Sequence, residues 1–246
     1  MTIFGEIAQI TLRALLGRRR TLLMLLLAAI PILVGLLVRA NARPGPVDVG
    51  AFLDAIVIRV VLPLVALVFG TAALGSELED GTAVHVLTKP IRRSTIVLAK
   101  ITVAGTLTAA LLVPSTIVAG MLIAGLLNTR PGSDPITATF AIGLGVLVGS
   151  YLYAAIFVAL SIVTSRGLLV GLGYALIWEG ILAGLLPGSQ VFSVREYVRG
   201  IAETLEPSSI ESIVGSSAVA YAAIALVTAS VIASLRLAVY EVRGGE

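Results

Sequence analysis

The chain has 246 residues, of which 58% are hydrophobic and only 13% are charged. A soluble domain of this length needs far more charged side chains to cover its surface, so the composition excludes an ordinary soluble globular protein. The absence of cysteine excludes disulfides and thiolate metal sites, and one histidine and three methionines leave little for a soft-metal site. The net charge of +3 does not indicate a nucleic-acid partner, and none is expected.

Apolar stretches of roughly 20 residues, the length of a helix that crosses a bilayer, recur along the chain. They predict an all-α membrane protein with six transmembrane helices. The spans are expected at residues 21–38, 52–74, 96–127, 136–164, 168–186 and 214–237. The third is long enough to be tilted, or broken at Pro114.

The first 20 residues precede the first span. Their apolar residues recur at helical spacing and end in a run of three arginines, which predicts an amphipathic helix in the membrane interface over residues 1–20. A solvated arm is the alternative. The first span followed by Ala40-Asn41-Ala42 also resembles a secretory signal, but its apolar run is unusually long and Arg39 interrupts before the site. An uncleaved anchor is therefore favoured.

A second polar segment, residues 187–213, lies between spans five and six. It holds two Ser-x-x-Glu capping boxes, which begin at Ser193 and Ser208. The apolar residues Val194, Val198, Ile201 and Leu205 follow the first box at helical spacing. These patterns predict short external re-entrant helices that rest on the membrane or dip into it.

Basic residues divide unequally between the two sides of the predicted layout. Six spans place both termini on one side, together with eleven lysines and arginines, whereas five arginines lie on the other side. Because cytoplasmic loops carry the excess of basic residues, both termini and the loop at residues 75–95 are predicted to be cytoplasmic.

That loop between spans two and three carries the most informative motif. Ser76 and Glu79 form a capping box that can start a helix as the chain leaves the membrane, and Lys89-Pro90 can end it. The motif reads Glu77-x-Glu79-x-Gly81-Thr82, then Leu87-Thr88-x-Pro90-x-Arg92-Arg93, then Leu98-Ala99-Lys100. It resembles the loop after the second span in ABC-2 type permeases, the membrane subunits of type V-like ABC exporters. Ala83 and His85 depart slightly from the family pattern, in which larger aliphatic residues are common at these positions.

The resemblance implies that residues 1–246 form a single ABC-2 type transmembrane domain whose cytoplasmic coupling helix docks into a separate ATP-binding cassette ATPase. The residues to which it assigns ATPase coupling are Glu77, Glu79, Gly81, Thr82, Leu87, Pro90 and Arg92. The chain has no G-x-x-x-x-G-K-[ST] phosphate loop, so ATP and Mg are expected on the partner subunit. No catalytic residue, cofactor or metal site is expected in this chain, which is interpreted as a transport subunit and not an enzyme.

The family also implies an assembly of two permeases with two ATPase subunits in a prokaryotic cell (inner) membrane. The second permease is the same chain or a homologue. The scarcity of charge in the spans favours a hydrophobic or amphiphilic substrate, and the resemblance implies that this substrate is exported, with membrane lipid around the complex. The main alternative is an ATPase-independent secondary transporter or channel, which repeat symmetry and more intramembrane charges would favour. An intramembrane enzyme is the third class, and no assembled acid pair recommends it.

Two ionisable residues within the spans are candidates for lining a pathway or for intramembrane pairing, namely Arg59 and Glu179. Arg59 can instead extend toward the outer headgroups with Asp54 already in water, and this interpretation is slightly favoured. Glu179, beside Trp178, is expected to face a dimer cavity or to pair with Arg59. Glycines spaced four apart, such as Gly145 and Gly149, are interpreted as internal packing positions.

Overall fold

The structure is a computed structural model that describes residues 3–41, 48–79, 92–124, 134–164, 166–182, 189–207, 210 and 212–239. Within these ranges the chain is helical and contains no strand. Five helices are long and apolar enough to cross a membrane: Thr21–Ala40, Val49–Gly75, Arg93–Ala124, Pro135–Val163 and Gly215–Val239. The prediction of an all-α, multi-pass membrane protein is therefore confirmed.

The helices are numbered here in chain order. The first two are α1 (Ile3–Leu15) and α2 (Arg18–Ala40). Helix α3 covers residues 49–79 in three continuous parts, α-helical Val49–Leu53, π-helical Asp54–Val61 and α-helical Leu62–Glu79. Helices α4 (Arg93–Ala124) and α5 (Pro135–Val163) follow. Helix α6 joins α-helical Gly167–Gly173 to π-helical Tyr174–Leu182. The last two are α7 (Val194–Leu205) and α8 (Ala218–Val239).

The predicted fifth span is the element that differs most from expectation. Its apolar helical part, Gly167–Gly180, is shorter than the five long helices. The predicted residues 183–186 lie outside the described ranges. An arrangement of six spans thus stays a prediction, as do the membrane sides assigned to the loops and termini.

Helices α3, α4 and α5 form the core of the chain. In each of them 61% of an apolar stretch of 18 residues is buried inside the protein, against 22% in α2 and 17% in α8. Helix α4 runs without interruption through Pro114, so the span is not broken there. The next residue, Ser115, donates its hydroxyl to the carbonyl oxygen of Ala28 and so ties α2 to α4.

Several hydroxyl groups inside the long helices are satisfied within their own helix. The hydroxyls of Thr71, Thr108, Thr116 and Ser150 each donate to the carbonyl oxygen four residues earlier, at 2.7–2.8 Å. A hydroxyl without a partner is unfavourable in hydrocarbon, so this back-bonding lets polar residues sit within membrane-length helices.

Helix α1 is amphipathic, as its sequence predicts. Thr11 and Leu15 are buried against the rest of the chain, whereas Phe4, Ile10 and Leu16 are exposed. This large exposed apolar surface fits a helix that lies in a membrane interface, and that placement stays a prediction.

Two of the four-spaced glycines bring α7 close to α5. A Cβ atom placed on Gly145 would stand 2.6 Å from the backbone oxygen of Val198, and one on Gly149 would stand 2.5 Å from the Val198 Cγ2 atom. Only glycine permits this approach of the two backbones. The interpretation of this pair as internal packing positions is confirmed.

Candidate functional site

Two π-helical segments interrupt α3 and α6, and each contains an acidic residue. In a π-helix the backbone bonds join residues five apart, and such segments occur frequently at functional sites. In α3 the Arg59 Nε atom donates to Asp54 Oδ2 at 2.9 Å. In α6 the Tyr174 hydroxyl donates to Glu179 Oε1 at 3.1 Å. Each acid is thus bonded to a side chain five residues away along its own helix.

Helix α7 lies against both of these segments. It begins with Ser193, whose hydroxyl oxygen accepts from the Glu196 N–H at 3.4 Å. The predicted cap is therefore present. The Glu196 carboxylate, however, accepts from Arg199 Nη1 at 2.7 Å, so the reciprocal half of the capping box is replaced by an ion pair.

The apolar face of α7 follows the predicted pattern at three of its four positions. Val194, Val198 and Ile201 are buried, whereas Leu205 is exposed at the end of the helix. This buried face holds α7 against the core of the chain.

Glu179 holds the start of α7. Its carboxylate accepts from the Ser193 hydroxyl and from the Val194 N–H at 2.9 Å, in addition to Tyr174, and the side chain is buried. The first N–H groups of a helix lack partners within the helix and carry partial positive charge, so a carboxylate there is stabilised without a cation. Glu179 thus acts as a helix cap supplied by a different helix.

The described contacts of Glu179 and Arg59 do not include each other. Arg59 contacts Asp54, and Glu179 contacts the residues just named. The alternative that placed Asp54 in water was wrong, because only 5% of this residue is exposed. The Asp54 carboxylate lies instead under α7.

We call five charged residues on α3 and α7 the arginine cluster: Asp54, Arg59, Arg195, Glu196 and Arg199. Arg195 Nη2 lies 3.4 Å and Arg199 Nε 3.7 Å from the Asp54 carboxylate. With the two shorter pairs already described, three guanidinium groups meet two carboxylates. The cluster carries a net charge of +1.

Few features of the sequence indicated this cluster. Arg195 and Arg199 are four residues apart on a helix, which places them on one face, and Glu196 lies three residues before Arg199. That local spacing was the available signal. Their partner Asp54 is 141 residues away from Arg195, and only the packing of α7 on α3 brings them together.

The predicted coupling residues fall mainly outside the described part of the chain. Glu77 and Glu79 belong to the last turns of α3, and Arg92 is exposed just before α4. Gly81, Thr82, Leu87 and Pro90 lie outside the described residues. The predicted helix start at the Ser76 capping box was wrong, because α3 continues without a break through Glu79, and the rest of the predicted coupling helix lies outside the described residues. Their role stays a prediction.

A buried lysine links the two helices that flank this loop. Lys100, on α4, is 1% exposed, and its Nζ atom donates to the carbonyl oxygen of Ala73 on α3 at 2.6 Å. A charged hydrogen bond in a buried setting is among the stronger ones. The ends of α3 and α4 nearest the loop are therefore held together.

The side chains of the described residues offer little for metal chemistry. Within that part of the chain, no group of three histidine, aspartate or glutamate residues is placed to hold a metal ion. What the geometry provides is a set of bonds that connect helices to one another.

Residues 39–188 match the sequence model of a family described as ABC-2 family transporter protein. The match covers more than half of the chain. The matched range includes α3, the loop between α3 and α4, α4, α5 and Glu179, and it ends just before α7. A search of curated proteins gave no match.

Proposed function

Because the chain belongs to the ABC-2 family of transporter proteins, and is a membrane permease of an ABC transporter, we propose that it exports a hydrophobic or amphiphilic substrate with energy supplied by a separate ATP-binding subunit. The family match across residues 39–188 carries this proposal. Six spans, cytoplasmic termini, a prokaryotic inner membrane and a partner permease that is the same chain or a homologue complete it.

Coupling to ATP is assigned to the loop between α3 and α4, with Glu77, Glu79, Gly81, Thr82, Leu87, Pro90 and Arg92 in contact with the ATPase or next to it. The bond from Lys100 to Ala73 supports this role. Since it joins the two helices on either side of the loop, force applied to the loop acts on α3 and α4 together.

The same force reaches the other end of α3. Asp54 in that helix forms ion pairs with Arg195 and Arg199 of α7, and Glu179 in α6 caps the start of α7. A shift of α3 relative to α6 therefore displaces α7 or breaks one of its two attachments. We propose that α7 acts as the external gate that ATP-driven movement of α3 opens and closes.

An apolar groove supports a hydrophobic or amphiphilic substrate. It has a volume of about 700 Å³ and runs between α5 and α8 beside α7. Its lining is aliphatic and aromatic apart from Thr228 and the hydroxyls of Tyr197 and Tyr221. Pockets of this size commonly bind drug-sized apolar molecules, and this one suits a hydrocarbon tail.

Affinity purification of the tagged chain from native membranes in mild detergent tests the proposal. We expect a stoichiometric ATPase subunit with a phosphate-binding loop, whose coupled ATPase activity falls when Glu79 is changed to alanine. A matched change at Glu6, an exposed acid on α1, should leave that activity intact. A clean homo-oligomer with no ATPase would overturn the proposal and favour a secondary transporter.

A further inference from the structure

The arginine cluster carries more positive charge than the described part of the protein balances. Three guanidinium groups face two carboxylates, and no other described acid contacts them. Asp54 and Glu196 are buried, and the Arg195 and Arg199 side chains are 12% and 21% exposed. An excess charge in such a setting is unfavourable unless water or an anion beyond the described residues balances it.

The hydrogen-bonding capacity of the cluster is also incompletely used. A guanidinium has five N–H donors, yet Arg195 makes one described contact, through Nη2 to Asp54. Its Nε atom is buried and has no hydrogen-bond partner among the described residues. Arg199 Nε and two carboxylate oxygens of the cluster, Asp54 Oδ1 and Glu196 Oε2, are likewise buried without a hydrogen-bond partner among the described residues. Buried groups of this kind are commonly explained by a bound ion or water.

One arginine gives the cluster access to its surroundings. The Arg59 side chain is 52% exposed, and among the described residues it is engaged only through its Nε atom, with Asp54. The two Nη atoms, which can hold an oxyanion in a two-pronged arrangement, are left for a ligand.

We infer that the arginine cluster is a binding site for the phosphate-type oxyanion of an amphiphile. The planar fork of a guanidinium group matches the oxygen atoms of a phosphate better than an ammonium group does. Arg59 lies in the first half of the membrane-length helix Val49–Gly75, and its half-exposed side chain can extend toward the lipid headgroups. A water-soluble phosphate has the same chemistry and is the other source.

The site is complete in the permease itself, so its test does not depend on an ATPase. The chain is purified in an uncharged detergent and titrated with fluorescent phosphatidylglycerol, phosphatidylcholine and, by competition, inorganic phosphate. We expect phosphatidylglycerol to bind more tightly than phosphatidylcholine. Competition by millimolar inorganic phosphate would assign the site to free anions as well, whereas no competition would assign it to lipid headgroups; either result supports an oxyanion site.

Variants locate the binding within the protein. Arg59→Gln should weaken phosphatidylglycerol binding about five- to tenfold, because a charged hydrogen bond and one positive charge are lost. Asp54→Asn raises the net charge of the cluster and should leave binding equal or tighter. Arg39→Gln is the matched control, since Arg39 is exposed and lies outside the cluster, and it should change the affinity less than twofold.

The inference is overturned if Arg59→Gln and Arg199→Gln both bind phosphatidylglycerol like the wild type, or if Arg39→Gln weakens binding equally. The second result would mean that general surface charge attracts the lipid. Neither result would affect the proposal of a separate ATPase, which purification from native membranes tests on its own.

Discussion

The π-helical segments of α3 and α6 share one construction and differ in the chemistry that surrounds it. Each contains an acidic residue bonded to a side chain five residues away, and each acid also accepts bonds from α7. Around Glu179 the donors are neutral: two hydroxyls and a backbone N–H. Around Asp54 the donors are guanidinium groups, one of them half exposed.

This difference separates a structural attachment from a site that can respond to a ligand. Three neutral donors bond to the buried Glu179 carboxylate, and these bonds fix the start of α7. The guanidinium groups around Asp54 exceed the available carboxylates and remain accessible through Arg59. We therefore expect changes in α6 to affect stability most, and changes in α3 to affect binding most.

The largest effect is expected from Glu179→Ala. The change leaves the Ser193 hydroxyl, the Val194 N–H and the Tyr174 hydroxyl without their acceptor, and each buried donor left unpaired costs about 1–3 kcal/mol. The free energy of unfolding in detergent should fall by about 3 kcal/mol or more, measured by chemical denaturation. Glu6→Ala, at an exposed acid, is the control and should stay within about 0.5 kcal/mol. A loss below 1 kcal/mol for Glu179→Ala would show that this attachment is not structural.

An intermediate effect is expected from Gly145→Val. This change displaces α7, which contacts both π-helical segments. The new side chain would begin 2.6 Å from the Val198 backbone oxygen, so α7 must move away from α5. Overpacking of this kind costs about 1–3 kcal/mol, and the displaced α7 should also weaken the binding of phosphatidylglycerol. Gly173→Ala, where nothing lies within 4 Å of the added Cβ, is the control and should preserve both properties. Unchanged binding in Gly145→Val would mean that α7 does not complete the site.

The smallest effect on stability is expected from Arg59→Gln. An ion pair with a half-exposed partner contributes about 0–1 kcal/mol, so the melting temperature should change little while oxyanion binding falls. A thermal-shift assay beside the lipid titration separates the two properties. A loss of stability as large as that of Glu179→Ala would remove the distinction between the two π-helical segments.

Local patterns in the sequence were sufficient for the helices and for one cap. Long apolar runs predicted every helix of membrane length, and Ser193 was predicted as the cap of α7 from its spacing to Glu196. Both features depend on residues that are close in sequence. The helical spacing of the apolar residues before the first span likewise predicted helix α1.

The polar contacts between helices were beyond those patterns. Asp54 and Arg195 meet only because α7 packs on α3, and Lys100 meets Ala73 only because α3 and α4 pack side by side. The π-helical segments were also missed, since one extra residue in a turn leaves an apolar run unchanged. Both kinds of feature arise from tertiary packing, and a single sequence does not display it.

Site-specific cross-linking in native membranes tests the central claim most directly, and the absence of cysteine gives a clean background for it. Thr82→Cys is placed in the proposed coupling loop, and Phe192→Cys, at a side chain 70% exposed just before α7, serves as the external control. We predict that Thr82→Cys cross-links to an ATP-binding subunit, whereas Phe192→Cys does not and instead reacts with a membrane-impermeant maleimide added outside the cell. A cross-link to the ATPase from Phe192→Cys, with none from Thr82→Cys, would contradict both the orientation and the assignment of coupling to this loop.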